Sequence, residues 1–314
     1  MPVVVKGAGT TPPPVVVPGP PADLLQLPVL TLTTPDEQVV PLSDITLGWC
    51  VEEIQGLGSV PRTVTTAPRS RGGVRMRNQR LEARTLILTV LLHGRTPAEF
   101  AQRWLHLEGL LCDTDVDRLA QLTITRPGQP SRTIDVYYVS GFDGEPGYGI
   151  VDDVLVLTLG CPDGLFRSAE PIKFAWAPEE PVDFFTDYPA VSGASVGGSQ
   201  DITNPGQVDA WGAWTIRGPA SGLTAAITTA GVTRQFTFTP VGGPLGDGQV
   251  ATITSDPRAV IGPAGQNWTQ AINWSTGRLW PIPRGESRIS MAATGGVAGK
   301  TRVAFEFYPR WRAA

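Results

Sequence analysis

The segment "GASVG", residues 193–197, matches the G-x-S-x-G pattern that carries the nucleophile of many serine hydrolases. That chemistry needs Ser195 on a sharp turn between a strand and a helix, with a histidine later in the chain. Both histidines, His93 and His106, precede the serine, and the neighbouring residues are mostly Gly, Ser, Val and Ala. The motif therefore predicts a flexible connection and does not favour a hydrolase.

Carboxylates recur at alternate positions in "DTDVD", which contains Asp113, Asp115 and Asp117. This spacing opens the calcium loop of an EF-hand, but that loop also needs glycine at its sixth position and glutamate at its twelfth. Those positions hold Arg118 and Ile124. A solvated turn is the favoured interpretation, and a weak cation contact at the three aspartates is left open.

Other reactive side chains are too few and too scattered to form a metal or cofactor site. The three cysteines, Cys50, Cys112 and Cys161, are an odd number without a CxxC pair, so they predict free thiols and neither a disulfide framework nor a zinc cage. Neither a dinucleotide-binding glycine motif nor a P-loop is present. The sequence thus predicts no catalytic residue, no cofactor and no metal, and favours a structural or binding protein.

A basic segment at 61–80 is a candidate interaction surface. It contains six arginines and several Pro and Gly residues, which predict a long loop or hairpin arm. Arginine pairs well with phosphate, but no aromatic residues are interleaved to stack on bases, and the whole chain has a net charge of −4. A solvated or protein-docking arm is favoured over a nucleic-acid site, with these residues as candidates: Arg69, Arg71, Arg75 and Arg77.

The length of 314 residues suggests two domains, and no apolar stretch is long enough to span a membrane. Residues 1–24 are rich in Pro and Gly and lack the apolar segment of a signal peptide, so they predict an extended or disordered leader. Residues 25–168 contain several runs that are rich in β-branched and apolar residues, as strands require, and one helix is predicted at 97–111. Thr96 is its expected N-cap. The N-terminal domain is therefore expected to be α+β, a sheet with one helix and a long hairpin arm.

Residues 169–200 are rich in Pro, Glu, Gly and Ser and predict a linker. Residues 201–314 contain short strand-like runs separated by turn residues, as in a β-sandwich or jelly roll. The whole chain is thus expected to be mainly β, with two domains.

Two tryptophans open the second domain, in the strand that begins near Val208. Alternation predicts that Trp214 lies on the core face together with Ala210 and Ile216, and that Trp211 lies on the exposed face. A bulge at Gly212 would exchange these faces. Exposed aromatic rings flanked by polar groups are typical of carbohydrate sites, so the candidates for a contact surface are Trp211, Trp268 and Trp274; burial in the sandwich core is the favoured alternative.

The C-terminal half carries an ordered series of motifs: "ITNPGQVDAWGAWTIRGP", "GDGQVATITSDPRAV", "NWSTGRLWPIPRGESRIS" and "VAFEFYPRW". Together with the two-domain layout, the single helix and the hairpin, this order resembles the distal tail proteins of long-tailed bacteriophages, also called minor tail proteins of siphophages. The resemblance covers nearly the whole chain after the leader.

The resemblance implies a non-enzymatic virion protein at the tail tip, made in the cytoplasm of the host bacterium. It implies a homohexameric ring that joins the tail tube to the baseplate hub. The implied partners are the tail tube protein, the tape-measure protein and the hub or tail-associated lysin. The C-terminal sandwich would be galectin-like and could hold receptor-binding proteins. The alternative is a carbohydrate-binding module that attaches the phage to cell-surface glycans. Neither sequence-specific nucleic acid binding nor membrane insertion is implied.

Overall fold

The computed structural model describes residues 28–115, 117–144, 149–177, 196–297 and 299–314. It confirms a mainly β protein with one α-helix among these residues. The leader prediction for 1–24 and Ser195 lie outside them.

The first part of the chain contains ten strands and one helix. They are β1 (Val29–Thr33), β2 (Val39–Pro41), β3 (Trp49–Gln55), β4 (Arg62–Pro68), β5 (Val74–Leu81), β6 (Arg84–His93), α1 (Pro97–Cys112), β7 (Ala120–Thr125), β8 (Arg132–Ser140), β9 (Asp152–Cys161) and β10 (Phe166–Ser168). The sheet order is β2-β1-β7-β8-β9-β6-β3, and every pair is antiparallel. Strands β4 and β5 form a separate two-stranded hairpin.

Alternation along β6 explains how this sheet buries one face. Leu86, Leu88, Val90 and Leu92 are buried, whereas the residues between them are at least partly exposed. The core also receives the apolar face of α1, namely Phe100, Trp104, Leu107 and Leu111.

The start of α1 is capped by Thr96, as predicted, and also by Glu99. The Thr96 hydroxyl accepts the backbone N–H of Glu99 at 3.2 Å, as an N-cap should. The Glu99 carboxylate accepts the backbone N–H of Arg95 at 2.9 Å. The helix begins at Pro97 as predicted and ends one residue later than predicted, at Cys112.

The second part of the chain forms a sandwich of two antiparallel sheets. Its strands are β11 (Ile172–Trp176), β12 (Val196–Asn204), β13 (Gly212–Arg217), β14 (Gly222–Thr229), β15 (Val232–Phe238), β16 (Val250–Ser255), β17 (Arg258–Ile261), β18 (Gly285–Thr294) and β19 (Arg302–Phe307). One sheet has the order β11-β19-β13-β16-β17 and the other β12-β18-β14-β15. Their inner faces enclose a core that is separate from that of the first sheet.

The described ends of segment 169–200, predicted as a linker, are strands. β11 pairs with β19 along its whole length, and β12 begins at Val196 and pairs with β18. The physical reason is that "IKFAW" supplies alternate apolar side chains, Ile172, Phe174 and Trp176, to the sandwich core. The neighbouring Pro and Glu residues conceal this short alternation in the sequence.

The chain returns to its first sheet at the end. Strand β20 (Arg310–Trp311) pairs with β10, with Phe166 opposite Trp311 and Arg167 opposite Arg310. β10 in turn pairs with β8. The C-terminal residues are therefore part of the N-terminal sheet, an arrangement that the sequence did not predict.

Candidate interaction surfaces

The hairpin β4–β5, here called the arm (residues 61–81), is confirmed as a long hairpin. Its register shifts by one residue, since Thr65 faces Asn78 whereas Thr66 faces Met76, which leaves Arg77 as a bulge. In an unbroken strand Leu81 would lie on the opposite face from Val74 and Met76. The bulge brings these three side chains to one face.

The two faces of the arm differ in polarity as a result. Residues that are paired across antiparallel strands share a face. One face carries Val64, Pro68, Val74, Met76 and Leu81, together with Arg62, Thr66 and Gln79, and the other carries Thr63, Thr65, Ala67, Arg75, Asn78 and Arg80. Val74 and Met76 are 62% and 60% exposed. The arm is thus an amphipathic ribbon, and no described part of the chain covers its apolar face.

The predicted arginines, Arg69, Arg71, Arg75 and Arg77, lie at the tip and along β5, and all are exposed. Arg80 pairs with Glu82 at 3.0 Å, and no other arm arginine forms an ion pair with any described residue. The arm contains six arginines and no acidic residue, so the other residues, with 19 basic and 29 acidic side chains, carry −10. The arm therefore has a charge opposite to that of the rest of its own chain.

Acidic residues cluster where the β1–β2 turn meets the loop after α1. We call this the acidic corner: Asp36, Glu37, Asp113, Asp115 and Asp117. Arg118 lies within it, 2.8 Å from an Asp36 oxygen and 3.0 Å from an Asp113 oxygen. The Asp115 carboxylate accepts the backbone N–H groups of Asp117 and Arg118 at 2.9 and 3.0 Å. Asp115, Asp117 and Arg118 thus belong to a hydrogen-bonded turn, and the described residues include no group of side chains arranged to hold a metal ion.

Of the two tryptophans that open the sandwich, Trp214 lies on the predicted core face, whereas Trp211 lies just before β13. Trp214 is 1% exposed and Trp211 is half-buried. Gly212 causes no exchange of faces, since β13 pairs with β19 from Gly212 to Arg217 without a shift in register. The ring of Phe305 packs over Gly212, and a side chain there would collide with that ring. Trp268 is buried near Phe238, so it belongs to the core and offers no contact surface.

Trp274 is 39% exposed and lines a groove of about 610 Å³. Its indole N–H donates to the Thr269 carbonyl at 2.9 Å, which fixes the ring. The other lining residues are mostly polar and come from β15 and the loop after Trp274: Thr233, Arg234, Gln235, Ser275, Thr276, Gly277 and Arg278. A fixed aromatic ring beside hydrogen-bonding groups is suited to a polar, ring-shaped ligand.

The groups that could carry catalysis are not brought together. Ser195 lies outside the described residues, and the two residues after it, Val196 and Gly197, begin strand β12 where an elbow would need a helix. His93 contacts the Asp152 carboxylate at the ends of two strands, and His106 packs against Trp49. Burial raises the pKa of the Cys161 thiol to about 12, so this thiol is a poor nucleophile at neutral pH.

A buried arginine, Arg84, is the feature that sequence reasoning missed. It is 3% exposed, and its guanidinium donates to the carbonyls of Gly164 at 3.1 Å, Gly58 at 2.8 Å and Arg312 at 2.5 Å, and to that of Gly56. It also lies over the Phe166 ring, 4.6 Å from the centroid. Burial lowers its pKa, but an arginine stays charged. Its burial could have been predicted from its position, because Arg84 lies on the same face of β6 as the buried residues Leu86 and Leu88.

Arg132 makes a second, weaker attachment to the C-terminal residues. It donates to the Ala313 carbonyl at 2.6 Å and lies over the Trp311 ring, 4.7 Å from the centroid. Together with the pairing of β20, these contacts hold the end of the chain against the first sheet. In the part of the chain that the structure describes, no helix is long and apolar enough to cross a membrane.

Comparison with known proteins shows the fold. No protein-family model and no curated protein sequence matches the chain. Among solved structures, the Dit protein of phage SPP1, described as a paradigm of the hub adsorption apparatus in phages that infect Gram-positive bacteria, aligns with a TM-score of 0.59 at 16% identity. The alignment covers 88% of this chain and 98% of that one. A chain of the phage p2 baseplate in its activated conformation aligns with a TM-score of 0.55 at 10% identity, covering 90% and 98%. The chain therefore has the fold of Dit-type tail and baseplate proteins.

Proposed function

We propose that this protein is a non-enzymatic structural component of a phage tail tip, a distal tail adaptor that forms a homohexameric ring between the tail tube and the baseplate hub. The observation that carries the proposal is the structural alignment of 88% of this chain with 98% of the SPP1 Dit protein. The motifs in residues 202–311 add separate support, since their order along the sequence resembles the same family of tail proteins.

The geometry of the first sheet supports an assembly. Strands β2 and β3 are its edge strands, and an edge strand offers unpaired backbone groups to a neighbour. The arm presents an apolar face that the described residues of its own chain leave uncovered. A closed ring needs two different complementary surfaces on each subunit. The arm is one such surface.

In the proposed assembly the ring lies at the distal end of the tail tube, in the virion. Its partners are the tail tube protein on one side and the tape-measure protein and the hub or tail-associated lysin on the other. The sandwich projects outward and can hold receptor-binding proteins.

The ring is tested by measuring the mass of the purified full-length chain at micromolar concentration. We expect a species of about 200 kDa, six chains of 33.4 kDa. Mass photometry and negative-stain electron microscopy would report the mass and the sixfold outline. A chain that stays monomeric at all concentrations reached, even with its tail tube protein added, would contradict the proposed ring.

A second candidate function, recognition of cell-surface carbohydrate, is supported by the Trp274 groove. The ring of Trp274 is exposed and fixed by its hydrogen bond to Thr269, and Arg234, Gln235 and Arg278 lie beside it. Sugars stack their apolar faces on such rings and bond to neighbouring polar groups. Trp211 is half-buried outside this groove, and Trp268 is in the core.

This second function predicts that Trp274→Ala lowers retention of the full-length protein on host cell walls at least tenfold, about 1.4 kcal/mol. The matched control is Trp211→Ala, which removes another partly exposed indole of the same sandwich and should leave retention unchanged. Equal retention of the wild type and of Trp274→Ala, or no retention of the wild type, would remove this candidate and leave the proposed ring untouched.

A further inference from the structure

We infer that the Trp274 groove takes an anionic glycan, a sugar polymer that carries phosphate or carboxylate groups, and that Arg234 and Arg278 bind those groups. The inference deepens the second candidate function, carbohydrate recognition, and rests on it. It names the class of sugar and the side chains that select it. The groove has a volume of about 610 Å³, within the usual range of about 300–1,000 Å³ for small-ligand sites.

The groove is formed where a loop lies along the outer edge of β15, the last strand of its sheet. The Asn273 amide donates to the Thr237 carbonyl at 3.3 Å. Further along the loop, the Arg278 amide donates to the Gln235 carbonyl at 3.1 Å. These two bonds hold the backbone of Arg278 against β15, which is the strand that carries Arg234.

The loop that carries Trp274 is fixed by its own hydrogen bonds. The Gly277 amide donates to the Asn273 carbonyl at 2.9 Å, and the Asn273 side chain accepts the amide and the hydroxyl of Ser275 at 3.2 and 2.6 Å. A β-carbon at Gly277 would lie 3.0 Å from the Cα of Phe236, so glycine allows this close approach to β15. A groove that is already ordered loses little conformational entropy when a ligand binds.

The charges that line the groove select an anionic ligand. Arg234 and Arg278 are exposed, and neither forms an ion pair with a residue that the structure describes. The remaining lining residues supply the indole ring and neutral polar groups and include no carboxylate. The groove is therefore a positive site on a chain with a net charge of −4. Because arginine pairs its N–H groups with carboxylate or phosphate oxygens, an anionic sugar uses both the charges and the ring, whereas a neutral sugar leaves the charges unused.

The open edge of β15 adds a backbone donor to the site. The Gln235 carbonyl points outward to Arg278, and in an antiparallel strand the backbone groups of residues two apart point the same way. The N–H of Thr233 therefore points to the same edge, where no strand among the described residues pairs with β15. A backbone N–H donates to anionic oxygens just as a guanidinium does. The positive charges and this donor thus face one groove.

The test measures retention of the full-length protein on purified host cell walls. Arg234→Gln/Arg278→Gln removes both charges and should lower retention at least about tenfold. Arg234→Lys/Arg278→Lys keeps the charges and should be retained better than the glutamine variant. The matched control, Arg258→Gln/Arg302→Gln, removes two exposed arginines from the other sheet of the sandwich and should be retained as the wild type is.

Salt gives a second readout, which a purely structural role of the arginines would not change. Raising the ionic strength from about 0.1 to 1 M shortens the Debye length from about 10 to 3 Å. Retention of the wild type should therefore fall, whereas the residual retention of Arg234→Gln/Arg278→Gln should change little. An equal salt dependence of the two proteins would place the charge effect outside the groove and overturn the inference.

Competition with polysaccharide extracted from the same walls identifies the anion. The untreated extract should displace the protein. Cold hydrofluoric acid removes phosphate and leaves the sugar units, and amidation with a carbodiimide neutralises carboxylates. The treatment that abolishes the competition identifies the group that Arg234 and Arg278 bind. An extract that competes equally well after either treatment and after both would show a neutral ligand and overturn the inference.

The outcomes separate this inference from the function on which it rests. If Arg234→Gln/Arg278→Gln is retained as the wild type is while Trp274→Ala is not, the groove binds a neutral sugar, and only the anionic specificity is wrong. If the wild type is not retained, or if the untreated extract fails to displace it, carbohydrate recognition and the inference are both overturned. The proposed ring is independent of every one of these results.

Discussion

Trp214→Ala is expected to lower the free energy of unfolding of the sandwich by about 3–5 kcal/mol, the usual cost of removing a large buried aromatic side chain. Trp214 is 1% exposed, and its ring centroid lies 4.5 Å from that of Phe305 and 5.9 Å from that of Trp176. The rings of Phe236 and Trp280 meet it edge-on at 6.0 and 6.1 Å. Truncation therefore opens a cavity at the centre of one aromatic cluster.

Urea unfolding followed by far-ultraviolet circular dichroism would measure this effect without depending on the removed fluorophore. Trp211→Ala is the matched control and should cost less than about 1 kcal/mol, because its ring is partly exposed. Trp214→Phe should fall between the two, since it keeps part of the buried volume. Equal losses for Trp211→Ala and Trp214→Ala would contradict the assignment of the two faces.

The second large effect is expected at Arg84. Arg84→Met removes four hydrogen bonds from a charged group and leaves the carbonyls of Gly56, Gly58, Gly164 and Arg312 without this donor. Hydrogen bonds to charged groups contribute about 1.5–3 kcal/mol each, and the methionine side chain recovers part of the apolar contact with Phe166. We expect a net loss of about 3–5 kcal/mol.

The loss of stability in Arg84→Met should be largest at the C-terminal end of the chain, so amide hydrogen exchange can measure it. The amide of Ala314 bonds to the Leu57 carbonyl at 3.0 Å, and we expect its protection to fall together with that of β20. Arg132→Met serves as a comparison. It loses one hydrogen bond to a carbonyl and the contact with Trp311, so its loss of protection should be smaller than that of Arg84→Met. Unchanged protection at Ala314 in Arg84→Met would show that the guanidinium does not hold the C-terminus.

The elements that the sequence predicts well are those whose signal is local. The alternation of β6, the N-cap at Thr96 and the core face of Trp214 all depend on residues within one strand or one helical turn. The hairpin arm is also evident, because Pro and Gly residues and the arginine run mark it directly. The helix boundary differs by a single residue, as expected for frayed ends.

The features that escape prediction depend on partners distant in sequence. The strand character of Ile172–Trp176 is decided by its pairing with β19, more than a hundred residues later. The bulge at Arg77 is set by the register against β4, and the burial of Trp268 by a loop that folds onto Phe238. Arginine is usually a surface residue, and the acceptors of Arg84 come from distant parts of the chain: Gly56, Gly58, Gly164 and, at the returning chain end, Arg312.

That return has a mechanical consequence. The sandwich is inserted between β10 and β20, two antiparallel neighbours whose chain connections to it leave from the same side. A pull on the sandwich would load both strands side by side, and Arg84 would share the load through its bond to Arg312. Rotation of the sandwich relative to the first sheet would be opposed as well, because the sandwich is joined to that sheet by two adjacent strands and not by a single one. A force applied to the outer surface of the sandwich would therefore be transmitted through β10 and β20 to the first sheet, which carries the arm.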